Sequence, residues 1–156
     1  MTTEKRCVCL TVATCIPVML ASASPAFADN CTGYDVLVAQ TAETTDLGKG
    51  QTLTVWKNHS VITSEDSVYK AVAGECSGTI LSTPDGKTQA MGYCARRDKD
   101  GDLQSISWHV PPGADKGMWK ATGGTGKYAG KQDSGWFQNI LTDGKMSLTK
   151  WGGTCN

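Results

Sequence analysis

Gln89-Ala90-Met91-Gly92-Tyr93-Cys94, then Lys99-Asp100-Gly101, then Leu103-Gln104-Ser105-Ile106-Ser107-Trp108-His109-Val110: this stretch decides the fold. Two runs with strand character flank an Asp-Gly pair, which accepts the positive φ of a tight hairpin. In the second run Ile106, Trp108 and Val110 share one face by the period of two. Ser105, Ser107 and His109 share the other. The apolar set is expected inside and the polar set outside.

The same grammar extends in both directions. Pro84-Asp85-Gly86 and Thr142-Asp143-Gly144 each place Asp-Gly between two strand-like runs. Tyr34–Ala39, Thr52–Trp56, Ser67–Val72, Gly78–Leu81, Met118–Ala121, Gly135–Leu141 and Met146–Trp151 read as further short strands. Pro111-Pro112-Gly113 closes the run that ends at Val110. No stretch of ten residues carries a helical period. The chain therefore reads as all-β and mostly antiparallel, and closing such a meander into a barrel removes exposed edges.

The first residues read differently. Lys5 and Arg6 precede an uncharged run from Cys7 to Ala23, and Ala26-Phe27-Ala28 has the small-x-small pattern of a signal-peptidase site. Residues 1–28 are expected to be a cleaved signal peptide and residues 29–156 a single domain, secreted or periplasmic and free of the membrane after cleavage. Without Glu4, Lys5 and Arg6 the domain holds 13 basic against 14 acidic residues. A near-neutral surface argues against nucleic acid as a partner.

Of seven cysteines, Cys7, Cys9 and Cys15 would leave with the signal. Cys31, Cys76, Cys94 and Cys155 remain, an even count that reads as two disulfides in an oxidising compartment. Three connectivities exist. Cys31–Cys155, which ties the two ends, with Cys76–Cys94, which links neighbouring strands, is the favoured one. No CxxC or CxxH pair occurs in residues 29–156, which argues against zinc.

Gly123-Gly124-Thr125-Gly126-Lys127-Tyr128-Ala129-Gly130 is the most distinctive stretch. It is not a phosphate loop. Ala121 stands where the first glycine is needed, Tyr128 follows the lysine, and no helix comes after. Together with Gly135, Gly92-Tyr93-Cys94, Asp98–Asp102 and Trp108, the stretch resembles the glycine-plus-aromatic motif of the allene oxide cyclase and dirigent barrels, above all their small secreted bacterial relatives. The likeness spans residues 75–150. It implies an eight-stranded antiparallel up-and-down barrel whose interior can hold a small apolar molecule. It transfers no catalytic residue.

Asp98, Asp100 and Asp102 could suggest calcium, but glycine and glutamate do not stand where an EF-hand needs them. A solvated hairpin tip is expected instead, with no metal. His59 and His109 stand beside serines without a nucleophile elbow. No cofactor motif is present, and no cofactor is expected. The aromatic residues Trp56, Tyr93, Trp108, Trp119 and Tyr128 are the candidate wall of a ligand cavity; aromatic rings also simply fill small barrels, and for the aromatic set as a whole the core reading is the favoured one.

Three functions follow as expectations. The first is binding of a small hydrophobic molecule in the lumen. The second is a cofactor-free isomerase or cyclase that holds a reactive conformer of a small unsaturated substrate. The third is a structural or protein-interaction role with a filled lumen. A buried ionisable group at the cavity floor separates the second from the first, and the absence of a cavity marks the third.

Overall fold

The computed structural model describes residues 30–64 and 67–156. The expected signal peptide, residues 1–28, lies outside the described residues. The rest forms eight strands: β1 (Cys31–Gly48), β2 (Gln51–Thr63), β3 (Ala71–Ser82), β4 (Thr88–Asp98), β5 (Leu103–Val110), β6 (Gly117–Gly124), β7 (Ser134–Asp143) and β8 (Met146–Thr154). Each pairs antiparallel with the next, and β8 pairs with β1, so the sheet closes into an up-and-down barrel. Among the described residues the single helical element is a 3₁₀ turn, Gly126–Tyr128, between β6 and β7.

The turns sit where the Asp-Gly pairs place them. Gly86, Gly101 and Gly144 take φ of 79°, 84° and 56°, a region that costs a glycine nothing. Two expected runs behave otherwise. Ser67–Val72 and Gly78–Leu81 do not make separate strands: β3 runs unbroken from Ala71 to Ser82, and Ser67–Lys70 form an irregular turn before it. Tyr69 in that turn is 2 % exposed, because it folds back under the barrel rather than extending a strand.

Both disulfides pair as expected. Cys31–Cys155 joins the start of β1 to the end of the chain, and Cys76–Cys94 joins directly opposed residues of β3 and β4. The side-chain parity of the second pair is inward, since both cysteines are buried and line the lumen.

The two ends of the barrel differ. At one end the chain between β2 and β3 and the chain between β6 and β7 bring Tyr69, Tyr128 and Asp133 into the opening, all buried. At the other end β1 outruns its neighbour. It pairs with β8 only from Cys31 to Val38, then continues as a hairpin with β2 to Gly48 and Gln51. Thr41 and Ala42 on that hairpin are exposed and still line the lumen, so the barrel opens there.

Candidate functional site

One row across the barrel shapes the wall. Trp56 on β2 lies opposite Gly78 on β3, Gly78 opposite Gly92 on β4, Gly92 opposite Trp108 on β5, and Trp108 opposite Trp119 on β6. By parity all five point inward. The two glycines have no side chains, so the indole of Trp108 lies flat against them. A Cβ built on Gly78 or Gly92 would stand 2.5 or 2.4 Å from that ring. Trp56 comes over from the other side and stacks on Trp108, with centroids 5.3 Å apart and planes 26° apart. Phe137 meets Trp108 edge-on at 6.2 Å.

Above this aromatic wall is a cavity of about 440 Å³, within the range of small-molecule sites. Leu37, Ile80, Ala90, Ile106 and Val110 belong to the remaining apolar lining. Alternate positions of the β-strands carry them, which is why they share the inner face.

The floor is polar. Arg96, 2 % exposed, reaches inward from β4. Its Nη2 donates to Asp35 Oδ2 at 2.7 Å and to Cys76 Sγ at 3.2 Å, its Nε to Ser60 Oγ at 2.7 Å, and its Nη1 to Gln104 Oε1 at 3.4 Å. Ser60 Oγ in turn donates to Asp35 Oδ1 at 2.7 Å. Burial pushes the Asp35 carboxyl above its ordinary range, and the Arg96 guanidinium pulls it part of the way back. Burial lowers Arg96, and Asp35 opposes that. Each charge is tolerable only because the other is present. Gly74 makes room for the pair: a Cβ there would stand 2.7 Å from Arg96 Cα.

Below the floor lies the plug. Tyr69 stacks on Tyr128 at 5.7 Å and meets Trp119 and Trp151 edge-on. Its hydroxyl donates to the fully buried Asp133. Burial and that hydrogen bond push the Tyr69 phenol far up, so it stays protonated. The glycine-rich stretch docks this plug on the β4–β5 turn. Lys127 Nζ pairs with Asp98 Oδ2 at 2.6 Å, and Lys127 N donates to Asp102 Oδ2 at 3.2 Å. The acidic tip thus holds a lysine and its own backbone, through Asp98 Oδ1, which accepts from Asp100 N and Asp102 N.

Trp56, Trp108 and Trp119 of the sequence-selected residues line the lumen. Tyr93 does not. It is 68 % exposed on the outer face, because its neighbour Cys94 points inward and adjacent strand residues alternate. Tyr128 is buried in the plug, behind the lumen rather than on its wall. Asp35, Ser60, Arg96 and Gln104 escaped the sequence reading. One signal for Arg96 existed: it stands two residues after Cys94, so an inward disulfide carries an arginine inward with it.

The geometry defines a class, the closed eight-stranded antiparallel barrel with an open, aromatic-walled lumen. Solved structures of this fold include a pterocarpan synthase dirigent protein, similar at a TM-score of 0.51 and 16 % identity over 78 % of this chain and 85 % of that chain. A pyocyanin demethylase is similar at a TM-score of 0.48 and 17 % identity over 79 % of this chain and 99 % of that one. The likeness to the dirigent barrel is one of fold. No family profile and no curated protein matches the sequence.

Proposed function

We propose that the barrel binds one small, uncharged, largely apolar molecule in its lumen. The open cavity of about 440 Å³ over the stacked Trp56 and Trp108 carries this reading. The chemistry of the floor narrows it. Asp35 and Arg96 neutralise one another, so a charged ligand would find no free counter-charge and would lose its hydration. Trp56 Nε1 is buried without a hydrogen-bond partner, a donor that a single acceptor on the ligand could use. Two disulfides support action in an oxidising compartment, secreted or periplasmic, after removal of residues 1–28. Among the described residues no helix is long and apolar enough to cross a membrane.

The buried Asp35–Arg96 pair favours a second reading, a cofactor-free isomerase or cyclase. In it the aromatic wall holds one conformer of an unsaturated substrate, and the polar floor stabilises charge that develops during rearrangement. The open lumen weighs against the structural role.

The test uses N-phenyl-1-naphthylamine, an uncharged apolar fluorophore. Binding should quench tryptophan emission saturably and raise the melting temperature, by about 2.7 kcal/mol of stabilisation at a hundredfold excess over Kd. Tyr93→Ala should retain both effects and Trp108→Ala should lose them. An unchanged melting temperature, or equal shifts in both variants, would overturn the proposal. For the second reading, Asp35→Asn should bind an unsaturated epoxide yet fail to turn it over.

A further inference from the structure

We propose that the outside of the barrel carries a second, independent site: Met91, His109 and Met118 bind a soft monovalent metal ion, Cu(I). The three residues come from three adjacent strands and stand in one cross-strand row. Met91 on β4 is directly opposite His109 on β5, and His109 is directly opposite Met118 on β6. Directly opposed residues share a face, with Cβ atoms about 4.5–5.5 Å apart. The face is the outer one, because Trp108 and Trp119 beside them in sequence are buried inside. The imidazole is therefore flanked by a thioether on each side.

Among the described residues nothing else uses these side chains. Met91 is 60 % and Met118 54 % exposed, so neither thioether is packed. His109 is exposed, and its side chain makes no hydrogen bond or ion pair among the described residues. Met146, the remaining methionine of the described residues, lies opposite Val38 and Asp143, with no histidine beside it. His59 lies opposite Val38 and Glu75, with no methionine. Among the described residues, a methionine and a histidine stand directly opposite one another in this row alone.

The donor set selects the ion. Thioether sulfur is a soft ligand that favours Cu(I), and imidazole suits copper as well. All three donors are neutral, so a bound monovalent ion leaves one uncompensated charge and a divalent ion would leave two. No carboxylate offsets the second. The row continues to Thr79 on one side and Trp136 on the other. The charged groups nearest along β6 are Lys120 and Lys116, the latter held over the Trp136 ring at 4.7 Å. Zn(II), which takes imidazole, thiolate and carboxylate rather than thioether, finds one such ligand in this row, and Ca(II), which takes oxygen ligands, finds no carboxylate there.

The experiment takes the full chain with Cys7, Cys9 and Cys15 replaced by serine in every arm, so that thiols do not compete. Cu(I), maintained by ascorbate, is titrated against a chromogenic Cu(I) chelator. One equivalent should be retained by the protein. Met91→Leu and Met118→Leu keep the apolar bulk but remove the sulfur, and each should weaken retention by roughly tenfold or more. His109→Asn should weaken it at least as much, and Met146→Leu should leave it unchanged. In a proton spectrum Ag(I), a redox-inert counterpart, should shift the ring resonances of His109 and not those of His59. Loss of all copper to the chelator, retention unaffected by the two leucine variants, or displacement by equimolar Zn(II) would overturn the proposal.

Discussion

The indoles of Trp56 and Trp108 stack at 5.3 Å although two strands separate them, because the residues between them in the row are Gly78 and Gly92. Any side chain at those two positions would stand between the rings and the wall. The aromatic platform of the lumen is therefore as much a property of the glycines as of the tryptophans. Gly92→Ala puts a Cβ 2.4 Å from the Trp108 ring and 2.1 Å from the Ser77 carbonyl oxygen. It should destabilise the fold by about 1–3 kcal/mol, the usual cost of overpacking. Urea denaturation measures that cost, and a changed tryptophan emission maximum would report the displaced ring.

Arg96 is the residue whose loss strands a charge. Arg96→Met should cost about 3–5 kcal/mol, because Asp35 remains buried and unpaired. Asp35→Asn in the same chain should recover a large part of it. The pH dependence has a definite sign. The folded Asp35 carboxyl already lies above its ordinary 3.8, and without the guanidinium it rises further. Protonation then favours the fold, so the deficit of Arg96→Met against the unaltered chain should be smallest at acid pH and grow as pH rises through the folded pKa of Asp35. A double-mutant cycle run at acid and neutral pH checks both statements.

The ion pair that docks the glycine-rich stretch behaves in the opposite sense. The hydrogen bond from Lys127 lowers the Asp98 carboxyl to about 2 from its ordinary 3.8. A depressed carboxyl contributes stability that is fully present above the unfolded pKa and is lost as pH falls through the folded one. The melting temperature of Lys127→Met should lie below that of the unaltered chain at neutral pH. The two should converge between about pH 4 and pH 2, the window in which Asp98 takes up its proton.

The two disulfides should differ in worth. Their sequence separations are 124 and 18 residues. In the chain-entropy picture the first contributes about 5 kcal/mol and the second about 3. Replacing Cys31 and Cys155 by serine should therefore lower the denaturation midpoint more than replacing Cys76 and Cys94. Peptide mapping without reductant should recover those two cross-links and no Cys31–Cys76 fragment.

Export should leave Asp29 as the first residue, since Ala26-Phe27-Ala28 has the small-x-small pattern that signal peptidase reads. Intact mass of the protein from culture medium or periplasm measures this directly. A product that still carries Cys7 would refute it.

The strands, their antiparallel order and three of the hairpin turns were legible in the sequence, because alternation and Asp-Gly chemistry act over neighbouring residues. Ile106, Trp108 and Val110 needed nothing more than the period of two to be placed inside. The disulfide pairing was legible too, since one pair brackets the domain and the other is local. Tyr93 was not: an aromatic residue in a strand suits either face, and only its neighbour Cys94 settles the parity. Nor was Tyr69, which sits in a run with strand composition but turns under the barrel to meet Asp133, 64 residues away.

The sequence by itself thus determined the local grammar of this protein, meaning which segments extend, where they turn, and which residues of a segment share a side. The tertiary structure alone decided the site. Asp35 and Arg96 are 61 residues apart, and Trp56 and Trp108 are joined across two other strands. These partners meet only when the sheet closes and its register is set. A buried charge is tolerable, and a glycine becomes a seat for an indole, only beside partners that lie far off along the chain, and no local propensity records who those partners are.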